Sequence, residues 1–207
     1  MYIPRHFKPS DDEAQEFLSK VESGHLVTVT EQGLVSTLIP LIYDKNSNAF
    51  LGHISILNDQ AKLSTENEAL LISVINETYI SPTWYASKEE HHKVVPTWDY
   101  MLVHAYGDLV IHKDPSWILG QVTELTNRFE SNQPTPWKVS QAPSDYLEGQ
   151  LKAIVGFELK LSRIEVSFKM SQNKTKADLD GVVAGLSQQG KNQIAEEINS
   201  LRPEDKK

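Results

Sequence analysis

Cysteine is absent from the 207 residues. Its absence excludes disulfides, thiolate metal sites and a cysteine nucleophile. No apolar stretch approaches the roughly 18 residues that a membrane-spanning helix needs. The opening residues, MYIPRHFKPSDDE, lack the apolar core of a signal peptide, so a cytoplasmic location is expected and no membrane partner. Positive charge is scarce: Lys and Arg total 20 against 28 Asp and Glu, a net charge of −8 with histidine neutral. Nucleic-acid binders ordinarily carry a basic footprint. Here only Lys169–Lys176 and the terminal Lys206-Lys207 gather basic residues, and the latter reads as a solvated end.

Motifs of several chemistries are missing as well. There is no Gly-rich phosphate loop, dinucleotide fingerprint or nucleophile elbow. No helix-turn-helix with a basic recognition helix appears. DGVVAGLSQQGKNQIAEEI imitates one in composition, but its end is acidic. The seven histidines show no helical i,i+4 pair, and His91-His92 stands in the charged run KEEHHK. Adjacent strand residues point to opposite faces, so that pair reads as solvated and no metal site is expected.

What is present is an ordinary globular composition, 39% apolar and 8% aromatic, in a chain long enough for one domain with extensions. Ser10 and Glu13 fit a capping box, and Ala14, Phe17, Leu18 and Val21 form a stripe, so a helix is expected over 11–22. HLVTVT, LVSTLIPLIYD and AFLGHISI read as strands separated by the turns EQGL and KNSN, with Pro40 pointing to an edge or bulge. NDQAKLSTENEA is polar, with room for a short helix. LLISVIN and TYISPTWY are two strands or one interrupted strand, and ASKEEHHK a charged loop.

A long strand follows from Pro96 to about His112. Asp114-Pro115 suits a helix start, and Ile118, Val122, Leu125 and Phe129 carry that helix to about Ser131. NQPTPWKVSQAPS reads as an irregular linker before a short helix over 145–152, capped by Ser144. In GFELKLSRIEVSFKM the alternation slips by one at Ser162-Arg163, which predicts a bulge or sharp bend. One helical segment, Gln188–Leu201, is expected in the polar C-terminal part. The total is about seven strands with two to four helices, which favours a mainly antiparallel barrel with helical decoration over a doubly wound fold.

The stretch VVPTWDYMLVHAYG poses a specific question. As a strand it puts Trp98, Tyr100, Leu102, His104 and Tyr106 on one face. Thr97, Asp99, Met101, Val103 and Ala105 fall on the other, a carboxylate among apolar neighbours. TYISPTWY has a similar makeup. Either these aromatics fill a barrel core or dimer seam, or they hold a planar ligand with hydroxyls and a few polar groups.

MYIPRHF, TLIPL at 37–41, GHISILN at 52–58, YISPTWY at 79–85, VPTWDYMLVHAYG at 95–107 and KMSQNKTKADLDGVVAGL at 169–186 occur in an order that resembles the PaiB-type FMN-binding negative transcriptional regulators. The resemblance covers nearly the whole chain. It implies a mainly β (α+β) fold, an antiparallel split β-barrel of the FMN-binding type with peripheral helices. Residues 1–170 would form the barrel domain with N-terminal and inserted helices. Residues 171–207 would be a partly helical extension packing on the barrel or a dimer partner. The resemblance further implies a homodimer with FMN held between subunits. Met101, Val103 and Ala105 would then fill the barrel, and the Trp98/Tyr100/His104 face would meet the partner or the flavin groove.

Carried over residue by residue, the resemblance places His53, Asn58, Tyr79, Ser81, Trp84, Thr97 and Trp98 at their family positions in the groove. Ser36 and Thr37 would offer hydroxyl or backbone groups to the ring. Gln172, Asn173 and Lys174 would reach across the dimer, with Lys174 a candidate for the phosphate. Two positions depart from the pattern. The family usually reads Gly-His-x-Ala-Arg-x-Asn at 52–58, and here Ser55 and Ile56 replace the alanine and arginine. A guanidinium binds two phosphate oxygens at once and isoleucine binds none. Lys62, Ser55 or His53 would have to substitute. Asp99 stands where the family usually has asparagine, so a group that donates and accepts becomes one that only accepts when ionised.

Three functions compete on this reading: a flavin-binding regulator, a flavin-dependent oxidoreductase, and a split-barrel dimer that has exchanged FMN for another planar ligand such as haem, with His53 or His104 as axial ligand. DNA is a partner by resemblance only and finds no support in the charge.

Overall fold

The computed structural model describes residues 1–31, 33–63 and 68–202. The Lys206-Lys207 pair, Gln32 of the EQGL turn and residues 64–67 of the polar stretch lie outside the described residues. Six strands, β1 (Ser23–Thr30), β2 (Gly33–Asp44), β3 (Ala49–Ser55), β4 (Glu68–Ile80), β5 (Thr97–His112) and β6 (Ile154–Lys169), close a barrel in the order β1-β2-β3-β6-β5-β4. Among the described residues six α-helices accompany them: α1 (Asp11–Leu18), α2 (Ser87–His91), α3 (Pro115–Glu130), α4 (Ser144–Lys152), α5 (Lys176–Gln188) and α6 (Asn192–Ser200). Among the described residues no helix is long and apolar enough to cross a membrane.

The residues group into two compact units. One gathers Met1–Ala14, Val74–Val103 and Val166–Lys207; the other gathers Gln15–Ser73 and His104–Glu165. They are called the discontinuous unit and the hairpin unit below. In the hairpin unit Phe17, Phe50, Phe157, Leu41 and Leu159 are fully buried. In the discontinuous unit Ile80, Met170 and Leu186 are. Each such side chain contributes about 1.5–3 kcal/mol over leaving it in water.

Local chemistry sets most element ends. The amide of Ser10 donates to Glu13 Oε2 at 2.8 Å and that of Glu13 to Ser10 Oγ at 3.3 Å, the reciprocal box that starts α1. Hydrogen bonds donated by the Ser10 hydroxyl, and then by its amide, hold the Glu13 carboxyl below its ordinary range. The expected run to residue 22 falls short. The amides of Ser19, Lys20 and Val21 bond three residues back, which tightens the last turn and ends the helix at Leu18. At the start of α3, Asp114 accepts from the amides of Ser116 and Trp117.

Several expectations need correction. Six strands, not seven, are described, because LLISVIN and TYI form one strand; Asn76 takes φ +56° inside it. Pro40 lies neither at an edge nor in a bulge. The β1 ladder ends at the Ser23–Pro40 pair and the β3 ladder begins at Leu41–Gly52, so its missing N–H falls at a handover. ASKEEHHK carries the short helix α2, closed by His92 at φ +58°. The irregular linker holds a single turn, Val139–Gln141. Ser144 begins α4 rather than capping it. Where one C-terminal helix was expected there are two, and α5 starts with Thr175 accepting from the Asp178 amide.

The face of β5 is settled. Asp99, Met101, Val103, Ala105, Gly107 and Leu109 are buried in alternation, while Trp98 is exposed and Tyr100, Leu102, His104 and Tyr106 are half-buried. Gly107 has a particular reason. A Cβ there would collide with the Lys160 carbonyl, so β5 meets β6 at a distance only glycine permits. That approach lies next to Ser162-Arg163, where the burial alternation of β6 slips without breaking the strand.

Candidate functional site

The fourteen expected site residues divide between the two units. Ser36, Thr37, His53, Ser55, Asn58 and Lys62 belong to the hairpin unit; Tyr79, Ser81, Trp84, Thr97, Trp98, Gln172, Asn173 and Lys174 belong to the discontinuous unit.

In the hairpin unit most of the six are engaged by the protein itself. The Thr37 hydroxyl donates to Gln60 Oε1 at 2.5 Å and accepts from Asn58 Nδ2 at 2.9 Å. Gln60 Nε2 donates in turn to the Leu26 carbonyl and the Thr28 hydroxyl, each at 3.0 Å. Gln60 is fully buried, so this network pins the 3₁₀ turn Asp59–Lys62 beside β1 and β2. Sequence reading missed Gln60; its one signal is the Asn58 side chain accepting from the Gln60 amide, which only the folded turn reveals.

Ser55 Oγ accepts from the Leu57 amide, and Ser36 lies 3.1 Å from His25 Nδ1. His53 Nδ1 lies 3.0 Å from Gln121 Oε1, and His104 Nδ1 is 3.9 Å from the Glu165 carboxylate. Burial chiefly lowers the His104 pKa. Lys62 pairs with Asp59 at 2.6 Å, so its charge is already neighboured by a carboxylate.

In the discontinuous unit the two Pro-Thr-Trp triplets have different fates. Trp84 ends the turn Pro82–Trp84, started by Ser81 Oγ accepting from the Thr83 amide. Its indole rests on α5, where a Cβ at Gly185 would enter the ring and one at Gly181 would strike the Trp84 carbonyl. Trp98 instead is 54% exposed, edge-on to Tyr79, itself 44% exposed, with ring centroids 6.4 Å apart. Gln172 folds back onto the chain. Its Oε1 accepts from the Met170 amide at 2.8 Å and its Nε2 donates to the Phe168 carbonyl. Asn173 is exposed, and Lys174 Nζ lies 4.6 Å above the Tyr85 ring.

Asp99 organises a buried polar cluster beside Trp98. Its Oδ2 accepts from Ser171 Oγ at 2.6 Å, and its Oδ1 is 3.7 Å from Lys169 Nζ. Ser171 holds φ +59°. Lys169 also donates to the Thr97 hydroxyl at 2.6 Å and to the Trp98 carbonyl. Burial raises the Asp99 pKa, partly offset by the Ser171 hydrogen bond and the Lys169 charge; burial also lowers that of Lys169. Tyr85 is pushed up to about 12 by burial and then by Asp99 and Asp178.

A carboxyl raised on folding binds its proton more tightly when folded. Its contribution is therefore full below the ordinary carboxylate range, around 4, and is lost as pH rises through the folded value. Asp99→Asn should remove this slope. Relative to wild type, the variant gains stability as pH rises above about 4, read from urea unfolding at each pH. Parallel wild-type and variant curves would refute the assignment.

A closed six-stranded antiparallel barrel with accompanying helices places this molecule in the split-barrel class. Residues 1–163 match a family model described as "Putative FMN-binding domain", and the chain belongs to that family. It is similar to Protease synthase and sporulation protein PAI 2 of Bacillus subtilis (strain 168), with 32% identity covering 90% of this chain and 89% of that one. Among solved structures it resembles conserved hypothetical protein Rv2991 from Mycobacterium tuberculosis, with TM-score 0.58 and 11% identity over 84% of this chain and 94% of that one. It also resembles the FAD and heme binding protein from Mycobacterium smegmatis, with TM-score 0.56 and 12% identity over 77% and 71% of the two chains. At such identities the likeness is one of fold. Among the described residues no group of three or more His, Cys, Asp or Glu is arranged to hold a metal ion.

Proposed function

We propose that this protein binds a flavin, FMN in preference, on the edge formed by Trp98 and Tyr79, and works as a homodimer with a regulatory role. The observation that carries the reading is the exposure of these two large rings at the start of β5 and the end of β4. Aromatic area left in water beside polar groups suits a flat heterocycle. Membership of an FMN-binding family supports it, as does the flavin named for the Mycobacterium smegmatis structure. Asn173 and Lys174 stand in the same unit as the ring pair and supply an amide and a cation for polar groups of the ligand. Among the expected residues of the hairpin unit, Thr37 and Asn58 join the Gln60 network, Ser36 faces His25 and His53 faces Gln121. The flavin would supply electron chemistry; this chain's part is to bind and orient it. With net charge −8, regulation through flavin state fits better than direct operator contact.

The test is a fluorescence titration of FMN against wild type and Trp98→Ala, with sedimentation to read the dimer. Aromatic pairs contribute about 0.5–1.5 kcal/mol, so the variant should bind up to about tenfold more weakly. Equal affinities would move the flavin away from this edge, and no binding by wild type would sink the reading.

A further inference from the structure

A cleft of about 410 Å³ opens in the hairpin unit; Trp98, Tyr79, Asn173 and Lys174 are not among its lining residues, and Ile56, at the position where the resemblance expects a phosphate-binding arginine, is. Its apolar lining is Ile56, Ile118, Leu151, Ile154 and Val155, with Pro115 at one side. The volume is in the range of small-molecule sites, about 300–1,000 Å³. The cleft exists because α4 does not close onto its neighbours: none of its residues is buried, and Leu151 is half-covered. Ile56, at the other wall, is 46% exposed. A helix normally buries its apolar stripe. Here one residue of that stripe, Leu151, lines the cleft.

The charges around this space are specific. Lys113 and Lys152 line it together with Glu148, which leaves one net positive charge. No aromatic residue lines it, so nothing there favours a stacked ring. Lysine offers a point charge rather than the planar fork that arginine presents to phosphate. An aliphatic floor under a single net cation complements an aliphatic body carrying one negative charge. We propose that this cleft is a binding site for a small aliphatic carboxylate of medium chain length, its tail on Ile56, Leu151 and Ile154 and its carboxylate between Lys113 and Lys152. The site stands apart from the flavin reading, which uses other residues.

The probe is octanoate, titrated by calorimetry against the full chain, with 1-octanol as the uncharged comparison. Octanoate should bind with one-to-one stoichiometry, and more tightly than octanol. The double variant Lys113→Gln/Lys152→Gln removes two exposed charges, so folding is unaffected and a matching thermal melt verifies it. It should bind octanoate about tenfold more weakly or worse, since charge-assisted hydrogen bonds are lost, while octanol affinity stays unchanged. Leu151→Trp fills the cleft and should abolish both. The proposal fails if octanoate shows no saturable binding, if octanol matches it, or if the double variant binds octanoate as wild type does. FMN titration of the double variant keeps the readings separate, because flavin binding is expected to be unaltered in it.

Discussion

Lys169→Met is expected to cost about 3–5 kcal/mol of stability, the penalty for stripping the partner from a buried charge. Asp99 is fully buried; among the described residues Ser171 donates to its carboxylate, and Lys169 is the cation beside it at 3.7 Å. Lys169 does more than neutralise. It ties the Thr97 hydroxyl and the Trp98 carbonyl to the end of β6, and it lies 5.9 Å from the Phe7 ring centroid and 5.7 Å from that of Tyr100. The loss should depend on pH in a defined direction. Burial has already raised the Asp99 pKa, and removing the cation raises it further, so acid neutralises the stranded carboxylate. The penalty is therefore largest at neutral pH and shrinks towards pH 4. In a chain of this size each kcal/mol moves the melting temperature by about 2–4 °C, so a drop of roughly 10 °C is expected at pH 7. Asp99→Asn/Lys169→Met should recover much of it, because no charge is left without a partner. A single-variant loss below about 1 kcal/mol, or a double variant no better than Lys169→Met, would show that the pair contributes little.

Gly107→Ala should be among the most damaging exchanges of one hydrogen for a methyl. The added carbon meets the Lys160 carbonyl, which is backbone and cannot rotate away. The β5–β6 ladder must part locally, and an overpacking cost of about 3 kcal/mol is expected. Gly120→Ala has the opposite sign. It lies within α3, and its new Cβ meets nothing within 4 Å. Alanine exceeds glycine in helix interiors by about 0.5–1 kcal/mol, so this variant should melt higher. Urea unfolding of both measures the contrast. Similar shifts for the two would refute the close approach at Gly107.

The sequence carried those features that local chemistry decides. The capping box at Ser10 and Glu13, the Asp114-Pro115 start of α3 and the two-residue period of β5 all follow from neighbours in the chain. What it did not carry depends on distant partners. The triplets at 82–84 and 96–98 are identical, yet Trp84 packs and Trp98 stands in water. The difference is that Gly181 and Gly185, a hundred residues on, present bare backbone to the first. Asn58 is expected in the groove from its family position and Thr37 from its place on the strand before Pro40. Only the fold reveals that Gln60 claims them. The carboxylate at Asp99 is explained the same way, by a lysine and a serine that arrive from the end of β6.

The discontinuous unit draws on the first fourteen residues, a middle stretch and everything from Val166 onward. During translation its opening segment therefore emerges long before its last contributors exist. Residues up to Gly185 must leave the ribosome before Trp84 finds its partner there, and Lys169 before Asp99 finds its own. Until then those parts wait on nascent chain still being made, at about 5–20 residues per second. A stop codon shortly after residue 163, where the family match ends, would leave that half permanently without the pieces it needs.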